Sequence, residues 1–326
     1  MKVLISDNLG EAGIRILETA GFEVDVKTGL STEELKSVIA PYHALVIRSS
    51  TQVTAELLDA AENLRVVGRA GIGLDNVDTA AATRRGVVVM NTPGGNVVTT
   101  AEHTLALMLS LTRKIPQGTA SLKKGRWEKK KLMGREICDK TIGVIGFGKI
   151  GSVVADRARG LKMRVMVYDP VVQPDNIEKQ GFECVDIERL YAESDYITVH
   201  VPKNKNTTAL INKEAISRMK DGVMIINCAR GGIVDEDDLY EGLASGKVAG
   251  AALDVFSEEP PPADHPLMKL DNVVVTPHLG ASTFEAQTNV AVAVANQIIE
   301  YLKNNNLVNA VNAPSISGRA LEQLSP

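Results

Sequence analysis

The 326-residue sequence predicts an α/β protein built from two doubly wound parallel-sheet domains. Short apolar runs alternate with helix-compatible segments along nearly the whole chain, which implies parallel strands joined by crossover helices. The length exceeds one ordinary domain and fits two. A glycine turn near the middle, flanked by an apolar run and a helix-compatible stretch, marks the second of them. Hydrophobic residues make up 44% and charged residues 23%, as in a globular protein, and aromatics only 4%, so Val, Ile, Leu and Ala must fill the cores. A net charge of −4 gives no reason to expect a nucleic-acid partner.

In the first unit the apolar runs are 3–6, 22–26, 44–48, 65–68 and 87–90. Between them lie helix-compatible segments 11–20, 32–39, 54–61 and 76–85. Gly21 and Gly86 stand where helix C-terminal glycines are expected. Ser31 or Thr32 can cap the second helix, with Glu33 and Glu34 in its first turn. The unit is α/β but has no glycine fingerprint.

Loop chemistry follows at Thr92-Pro-Gly-Gly-Asn96. Residues 97 to 114 read as a long, mostly apolar and therefore buried helix, which Pro116 perturbs or ends. Segment 121–135 is basic, with Lys123, Lys124, Arg126, Lys129, Lys130, Lys131 and Arg135 around the single tryptophan, Trp127. It reads either as a solvated loop or as an arm that docks on a partner subunit.

The second unit opens with TIGVIGFGKIG, residues 141–151. Gly146, Gly148 and Gly151 have the G-x-G-x-x-G spacing, followed by a helix-compatible stretch and a second apolar run ending in Asp169. Gly146 permits a tight turn, Gly148 lets the backbone approach a pyrophosphate, and Gly151 lets helix and strand pack closely. The helix N-terminus, at Lys149 and Ile150, offers N–H groups and a positive dipole end to phosphates. Asp169 can accept hydrogen bonds from ribose hydroxyls and would repel a 2′-phosphate, so NAD is expected rather than NADP. This is a Rossmann-type nucleotide-binding domain. Further strands are expected at 196–201, 223–227, 247–255 and 272–276, with helices at 187–192, 213–219 and 236–244. That makes about six strands, the count of a full doubly wound sheet. Segment 257–266, rich in proline and acids, is a surface loop, 282–303 is helical, and 307–311 is a possible last strand. Packing the last helix back on the first unit makes the substrate-binding domain discontinuous, 1–96 with 282–313, around a nucleotide-binding domain at 97–281, with a short tail at 314–326.

Ligands of α/β sheets gather at the C-terminal ends of strands. Arg230 in INCARGG, Glu259 in DVFSEEP and His278 in TPHLGAS each follow an expected strand. Together they suit oxidation of a 2-hydroxy acid. Arg230 can fork onto a carboxylate. His278 can take the hydroxyl proton as hydride leaves. Glu259, if it reaches the imidazole, would fix its orientation and stabilise the imidazolium. Singly, each has an ordinary structural reading: a solvated arginine, an exposed loop glutamate, a histidine capping a carbonyl.

The motifs GFGKIG, INCARGGIVDEDDL, ALDVFSEEP and TPHLGAST resemble those of the NAD-dependent D-isomer-specific 2-hydroxyacid dehydrogenases, in the same order and over nearly the whole chain. The resemblance implies that Arg230, Glu259 and His278 are the catalytic arginine, glutamate and histidine, with Glu259 chosen over Glu258 because it immediately precedes the proline. It implies a flavodoxin-like fold for the discontinuous substrate domain, a homodimer or homotetramer, and cofactor contacts at Gly146, Gly148, Lys149, Ile150, Gly151, Asp169, Val201, Pro202, Cys228, Ala229, Asp254 and Gly280. Asp254 is expected at the nicotinamide amide. The stretches VIRSSTQVTAELLDAAENLRVVGRAGIGLDNVD and NTPGGNVVTTAEHTLALML look like those of members acting on a phosphorylated 2-hydroxy acid. Such a substrate needs a second anion subsite. Arg48 and Arg69, each at a strand end, supply the charge, and Gly71, Gly73 and Asn96 lie in loops able to present backbone N–H groups. Family members with this pattern continue into further domains after a VNAPSIS-like segment, so the sequence reads as a short enzyme or as part of a longer one.

His103 is expected to pack or to bond another helix, His200 to end a strand near the cofactor, and His43 and His265 to stand without a cluster. Cys138, Cys184 and Cys228 form no CxxC, which argues against disulfides and zinc and for a reducing compartment, the cytoplasm. Cys228 lacks a base at recognisable spacing and is not read as a nucleophile. No clustered His, Cys and carboxylate ligands suggest a metal. The N-terminus does not read as a signal peptide, and no apolar stretch approaches the ~18 residues of a membrane span. Two other readings use the same fold: a glyoxylate or hydroxypyruvate reductase, which would favour NADPH, and an NAD-sensing scaffold resembling the C-terminal binding protein corepressors.

Overall fold

A computed structural model describes residues 1–313, and the expected tail at 314–326 lies outside the described residues. The chain divides into two compact units, Met1–Asn96 with the residues from Ala281 onward, and Val97–Gly280.

The first unit holds strands β1 (Lys2–Ile5), β2 (Glu23–Val26), β3 (Ala44–Ile47), β4 (Val66–Arg69) and β5 (Val88–Asn91) in the order β2-β1-β3-β4-β5. All pairs are parallel. This is the flavodoxin-like order, with a switch point between β1 and β3. Nearly every residue of β1, β3, β4 and β5 is buried, the pattern of strands covered on both faces. Helix Ala55–Ala60 starts at Thr54, whose hydroxyl accepts the Leu57 N–H, and helix Thr32–Val38 starts in a capping box of Ser31 and Glu34. Helix Phe284–Asn304 returns to cover one face through Val290, Ala291, Val294 and Ile298. Its approach requires glycines: a Cβ on Gly13 would lie 2.7 Å from the Ala291 carbonyl oxygen, and one on Gly68 2.7 Å from Val294. The expected strand at 307–311 does not form. It makes one antiparallel bridge, Ala310 to Met90, because Asn305 and Asn309 take left-handed φ values of 52° and 54° that interrupt extended backbone.

The second unit holds β6 (Thr141–Ile145), β7 (Arg164–Tyr168), β8 (Glu183–Cys184), β9 (Tyr196–Val199), β10 (Val223–Asn227), β11 (Val248–Leu253) and β12 (Val273–Val275). The order is β12-β11-β10-β9-β6-β7-β8, the doubly wound 3-2-1-4-5-6 order extended by one edge strand. The strand missed in the sequence is β8, whose two residues carry no apolar run. A ring of ion pairs holds that edge: Arg164 and Arg189 each reach both Glu183 and Glu193 at 2.6–2.8 Å. Helix Val97–Thr112 buries Ala101, Leu105, Met108 and Leu111 against this sheet. Pro116 does not end that helix. Lys114 turns left-handed, and Pro116 sits in the first turn of a new helix, Ile115–Lys123, which takes in the start of the expected basic loop. The remainder is tied to its own unit where Arg135 donates to the Thr112 carbonyl (3.1 Å) and the Gly222 carbonyl (3.0 Å), while Trp127 is 81% exposed.

Candidate active site

At the end of β6 the chain reverses at Gly146, where φ is +96° and a Cβ would meet the His200 carbonyl oxygen at 2.7 Å. Gly148 has φ −76° and open space where its Cβ would stand. A Cβ on Gly151 would overlap the Gly146 carbonyl oxygen, so helix Lys149–Gly160 seats against the turn only with glycine there. The first-turn N–H groups of Lys149, Ile150 and Gly151 precede the first intrahelical bond, Ser152 N–H to the Gly148 carbonyl (3.0 Å). A helix N-terminus without acids in its first turn, behind a residue lacking a side chain, fits a pyrophosphate.

Asp169, just past β7, faces this turn. Its carboxylate accepts the Phe147 N–H (2.7 Å) and the N–H groups of Val171 (2.8 Å) and Val172 (3.0 Å). Burial pushes its pKa up, but the three N–H groups outweigh burial and hold it below the ordinary 3.8. The acid therefore fastens the glycine turn and remains charged, with one lone pair left for a ribose hydroxyl.

Two of the residues expected to do chemistry meet directly. His278 Nδ1 lies 2.7 Å from Glu259 Oε2, and the second Glu259 oxygen accepts the Phe256 N–H at 3.1 Å. Both side chains stay reachable, at 47% and 37% exposure. Arg230 follows β10 in a turn built by Asn227, whose side chain accepts the Ala229 N–H (3.0 Å) and donates to the Arg230 carbonyl (2.9 Å). Arg230 itself donates from Nη1 to the Ala229 carbonyl (2.6 Å).

The model of the D-isomer specific 2-hydroxyacid dehydrogenase family, NAD binding domain, matches residues 105–280. The chain belongs to that family. It is 52% identical to the D-3-phosphoglycerate dehydrogenase of Archaeoglobus fulgidus and 48% identical to that of Methanocaldococcus jannaschii, over all of this chain and 62% of each relative. The chain thus spans about three fifths of the length of these curated relatives. Among solved structures, the TT0316 protein from Thermus thermophilus has a TM-score of 0.88 and 34% identity, covering 95% of this chain and all of the other. Membership makes the second unit the family's NAD-binding domain, and the glycine turn, Asp169 and the helix N-terminus are the residues that fit the cofactor.

What holds His278 and Glu259 in place was not legible in the sequence. Asp254, at the end of β11, is 1% exposed. Its carboxylate accepts the Thr276 hydroxyl (2.6 Å) and the N–H groups of Leu279 (2.7 Å) and Gly280 (2.7 Å), and its carbonyl accepts the His278 N–H (2.9 Å). The loop that presents His278 at a left-handed φ of 53° is thereby wrapped around one carboxylate. Burial pushes the Asp254 pKa up, but hydrogen bonds from His103, Thr276 and Leu279 bring it below its ordinary value. Expected at the nicotinamide amide, Asp254 here uses its carboxylate to anchor a loop. His103, expected to pack or to bond another helix, instead places Nε2 3.1 Å from both Asp254 and Thr276. Thr100 adds a bond to the Gly280 carbonyl (2.9 Å). No spacing rule links residues this far apart.

The remaining positions divide. Val201 and Pro202 follow β9, and the Pro202 carbonyl accepts the Thr207 hydroxyl (2.6 Å). Cys228 is buried and its thiol is pushed up to about 12, chiefly by burial, so it is no nucleophile at neutral pH. Burial likewise pushes the His200 imidazole down to about 4, and its Nε2 bonds the Thr198 hydroxyl at 2.9 Å. His43 accepts the Lys2 N–H on Nδ1 (3.1 Å). His265 is not isolated as expected: its Nε2 bonds Glu236 at 2.9 Å. In the first unit, the Arg48 N–H donates to Asp7 (2.6 Å) and its Nη1 reaches the Asn8 carbonyl at 3.4 Å. The Gly71 N–H, expected to serve a ligand, donates to the Arg69 carbonyl at 2.9 Å. Gly71 serves differently: at φ +152° it leaves the space that the Arg69 guanidinium occupies, which a Cβ would invade. Gly73 and Asn96 lie on the loops that follow β4 and β5.

Proposed function

We propose that the chain oxidises 3-phospho-D-glycerate to 3-phosphohydroxypyruvate with NAD, the opening reaction of serine biosynthesis, as a cytoplasmic homodimer or homotetramer. The observation that carries the reading is the 2.7 Å contact of His278 with Glu259, on the same sheet as the glycine turn. Glu259 engages Nδ1 of the ring, which leaves Nε2 to take the proton of the substrate hydroxyl. The adjacent carboxylate stabilises the imidazolium that results. Bound NAD supplies the hydride acceptor. Arg230 grips the substrate carboxylate through its fork of donors. Arg48 and Arg69 supply the charge for the phosphate. Support for the substrate comes from the identity to relatives that bear the name D-3-phosphoglycerate dehydrogenase. Among the described residues no helix is long and apolar enough to cross a membrane.

The test is NAD reduction with 3-phospho-D-glycerate, coupled to removal of the product. Turnover with D-glycerate or D-lactate and none with the phosphorylated acid would overturn the substrate. His278→Ala is expected to lower turnover by ~10²–10⁴-fold while NADH still binds. Near-normal turnover in that variant removes His278 from the acid–base role. NADPH binding as tight as NADH would favour the glyoxylate or hydroxypyruvate reductase reading, and efficient turnover counts against an NAD-sensing scaffold.

A further inference from the structure

Glu259 lies in a proline-rich loop that follows β11, and its own restraints are the Phe256 N–H and His278. A glutamate in such a loop needs something rigid to hold the loop itself. Glu236 supplies it. It is the first residue of helix Glu236–Ser245, which Asp235 caps by accepting the Asp238 N–H at 3.0 Å. Glu236 Oε1 accepts both the N–H (2.6 Å) and the hydroxyl (2.7 Å) of Ser257, where the loop begins. Glu236 Oε2 lies 2.9 Å from Nε2 of His265, where the loop ends. One largely buried carboxylate therefore closes residues 257–265 from both sides, at 16% exposure with its histidine at 14%.

The histidine's tautomer follows from its partners. Nδ1 accepts the Leu267 N–H at 3.3 Å, so that nitrogen carries no proton. Nε2 is then the donor to Glu236. The Phe256 ring packs edge-on against it, with centroids 5.9 Å apart at 71°. The Phe256–Ser257 peptide is thus gripped by Glu236 through Ser257 and by His265 through Phe256. The Phe256 N–H, on the preceding peptide, is the group that orients Glu259. The peptide also lies directly against Gly231, beside Arg230: a Cβ on Gly231 would stand 2.7 Å from the Ser257 nitrogen.

We infer that Glu236 and His265 are positioning residues, a clamp on the 257–265 loop that holds Glu259 in contact with His278. The inference rests on the proposed role of Glu259. With the clamp intact the loop has one setting. Without it Glu259 drifts from the imidazole, and proton transfer slows while the glycine turn is untouched.

The test compares Glu236→Gln and His265→Asn, alone and in a Glu259→Gln background, by turnover of 3-phospho-D-glycerate with NAD. Gln at 236 keeps one acceptor oxygen where the carboxylate uses two, so either Ser257 or the His265 N–H loses its acceptor. Asn at 265 keeps an oxygen for the Leu267 N–H but cannot reach Glu236, so it opens the clamp with the local turn intact. Either variant is expected to lower kcat about 10-fold to 100-fold and to shift the pH profile of kcat/KM, with the affinity for NADH unchanged. In the Glu259→Gln background the further loss should be less than about 2-fold, because the clamp acts through Glu259. If His265→Asn leaves kcat and the pH profile unchanged, or if the loss is fully retained in the Glu259→Gln background, the clamp is overturned. If Glu259→Gln alone leaves turnover unchanged, the role of Glu259 itself fails and the clamp falls with it.

Discussion

The two units have parallel sheets with a switch point at their first strand, yet they fill that point with opposite chemistry. In the second unit the crevice between β6 and β9 is lined by Gly146 and Gly148, and the helix behind it begins with Lys149. In the first, the crevice between β1 and β3 is closed by Asp7, 7% exposed, whose carboxylate takes the N–H groups of Arg48 (2.6 Å) and Thr51 (3.2 Å) and the Thr51 hydroxyl (2.9 Å). The helix that follows begins with Glu11. One crevice has N–H groups and room for an anion; the other already contains its anion. Topology creates the place, and the residues at the strand ends decide whether it binds a phosphate.

That comparison breaks most readily at Gly148. Gly148→Asp imports the first unit's solution into the second. Its Cβ meets nothing within 4 Å and its φ of −76° suits any residue, so the thermal midpoint should hold. Aspartate there even caps the helix. NADH affinity, followed by fluorescence, should nevertheless fall by roughly 100-fold or more, because a carboxylate then faces the pyrophosphate. Unchanged affinity would show that the phosphates bind elsewhere.

The reverse experiment is Asp7→Asn, which removes the built-in anion. It should destabilise the protein by about 1–3 kcal/mol, the worth of hydrogen bonds to a charged group, and leave NADH binding as it was. Equal stability by urea unfolding would mean that Asp7 does not close the first crevice.

The smallest effect sharpens the comparison. His200, whose carbonyl backs Gly146, is held neutral by burial with its pKa lowered to about 4 from 6.5. A folded-state value lowered for a base means that the unfolded chain binds the proton more readily. The stability is fully present above pH 6.5 and is lost as pH falls toward 4. Thermal midpoints should fall as the pH drops through that window, and His200→Gln should flatten the slope. A slope unaffected by the substitution would assign the acid sensitivity to other groups.

Much of the fold was legible because its signals are local. Alternating apolar runs located all the strands except β8, and they suggested one at 307–311 that does not form. A two-residue edge strand and two left-handed asparagines defeat a pattern that needs length. Pro116 misled because proline both ends and begins helices, and only the backbone of Lys114 tells which. The glycine turn with Asp169 was equally local, and Arg230, Glu259 and His278 were legible as residues that follow strands of one sheet. Their supports were not. Nothing in the sequence joins His103 to Asp254, or Glu236 to Ser257 and His265, since these are single hydrogen bonds between separate elements.

By itself, then, the sequence determined the strand-and-helix alternation, the glycine turn that leads into a helix N-terminus, and the charged side chains and the histidine that follow strand ends. Those are properties of short stretches, set by backbone sterics and side-chain chemistry. Only the tertiary structure decided that Asp254 anchors the His278 loop, that the Gly71 N–H is already taken, that Asp7 closes the first crevice, and that one carboxylate closes both ends of the Glu259 loop. Each depends on where two distant segments come to rest, and a hydrogen bond, unlike a hydrophobic stripe, leaves no periodic trace in the chain.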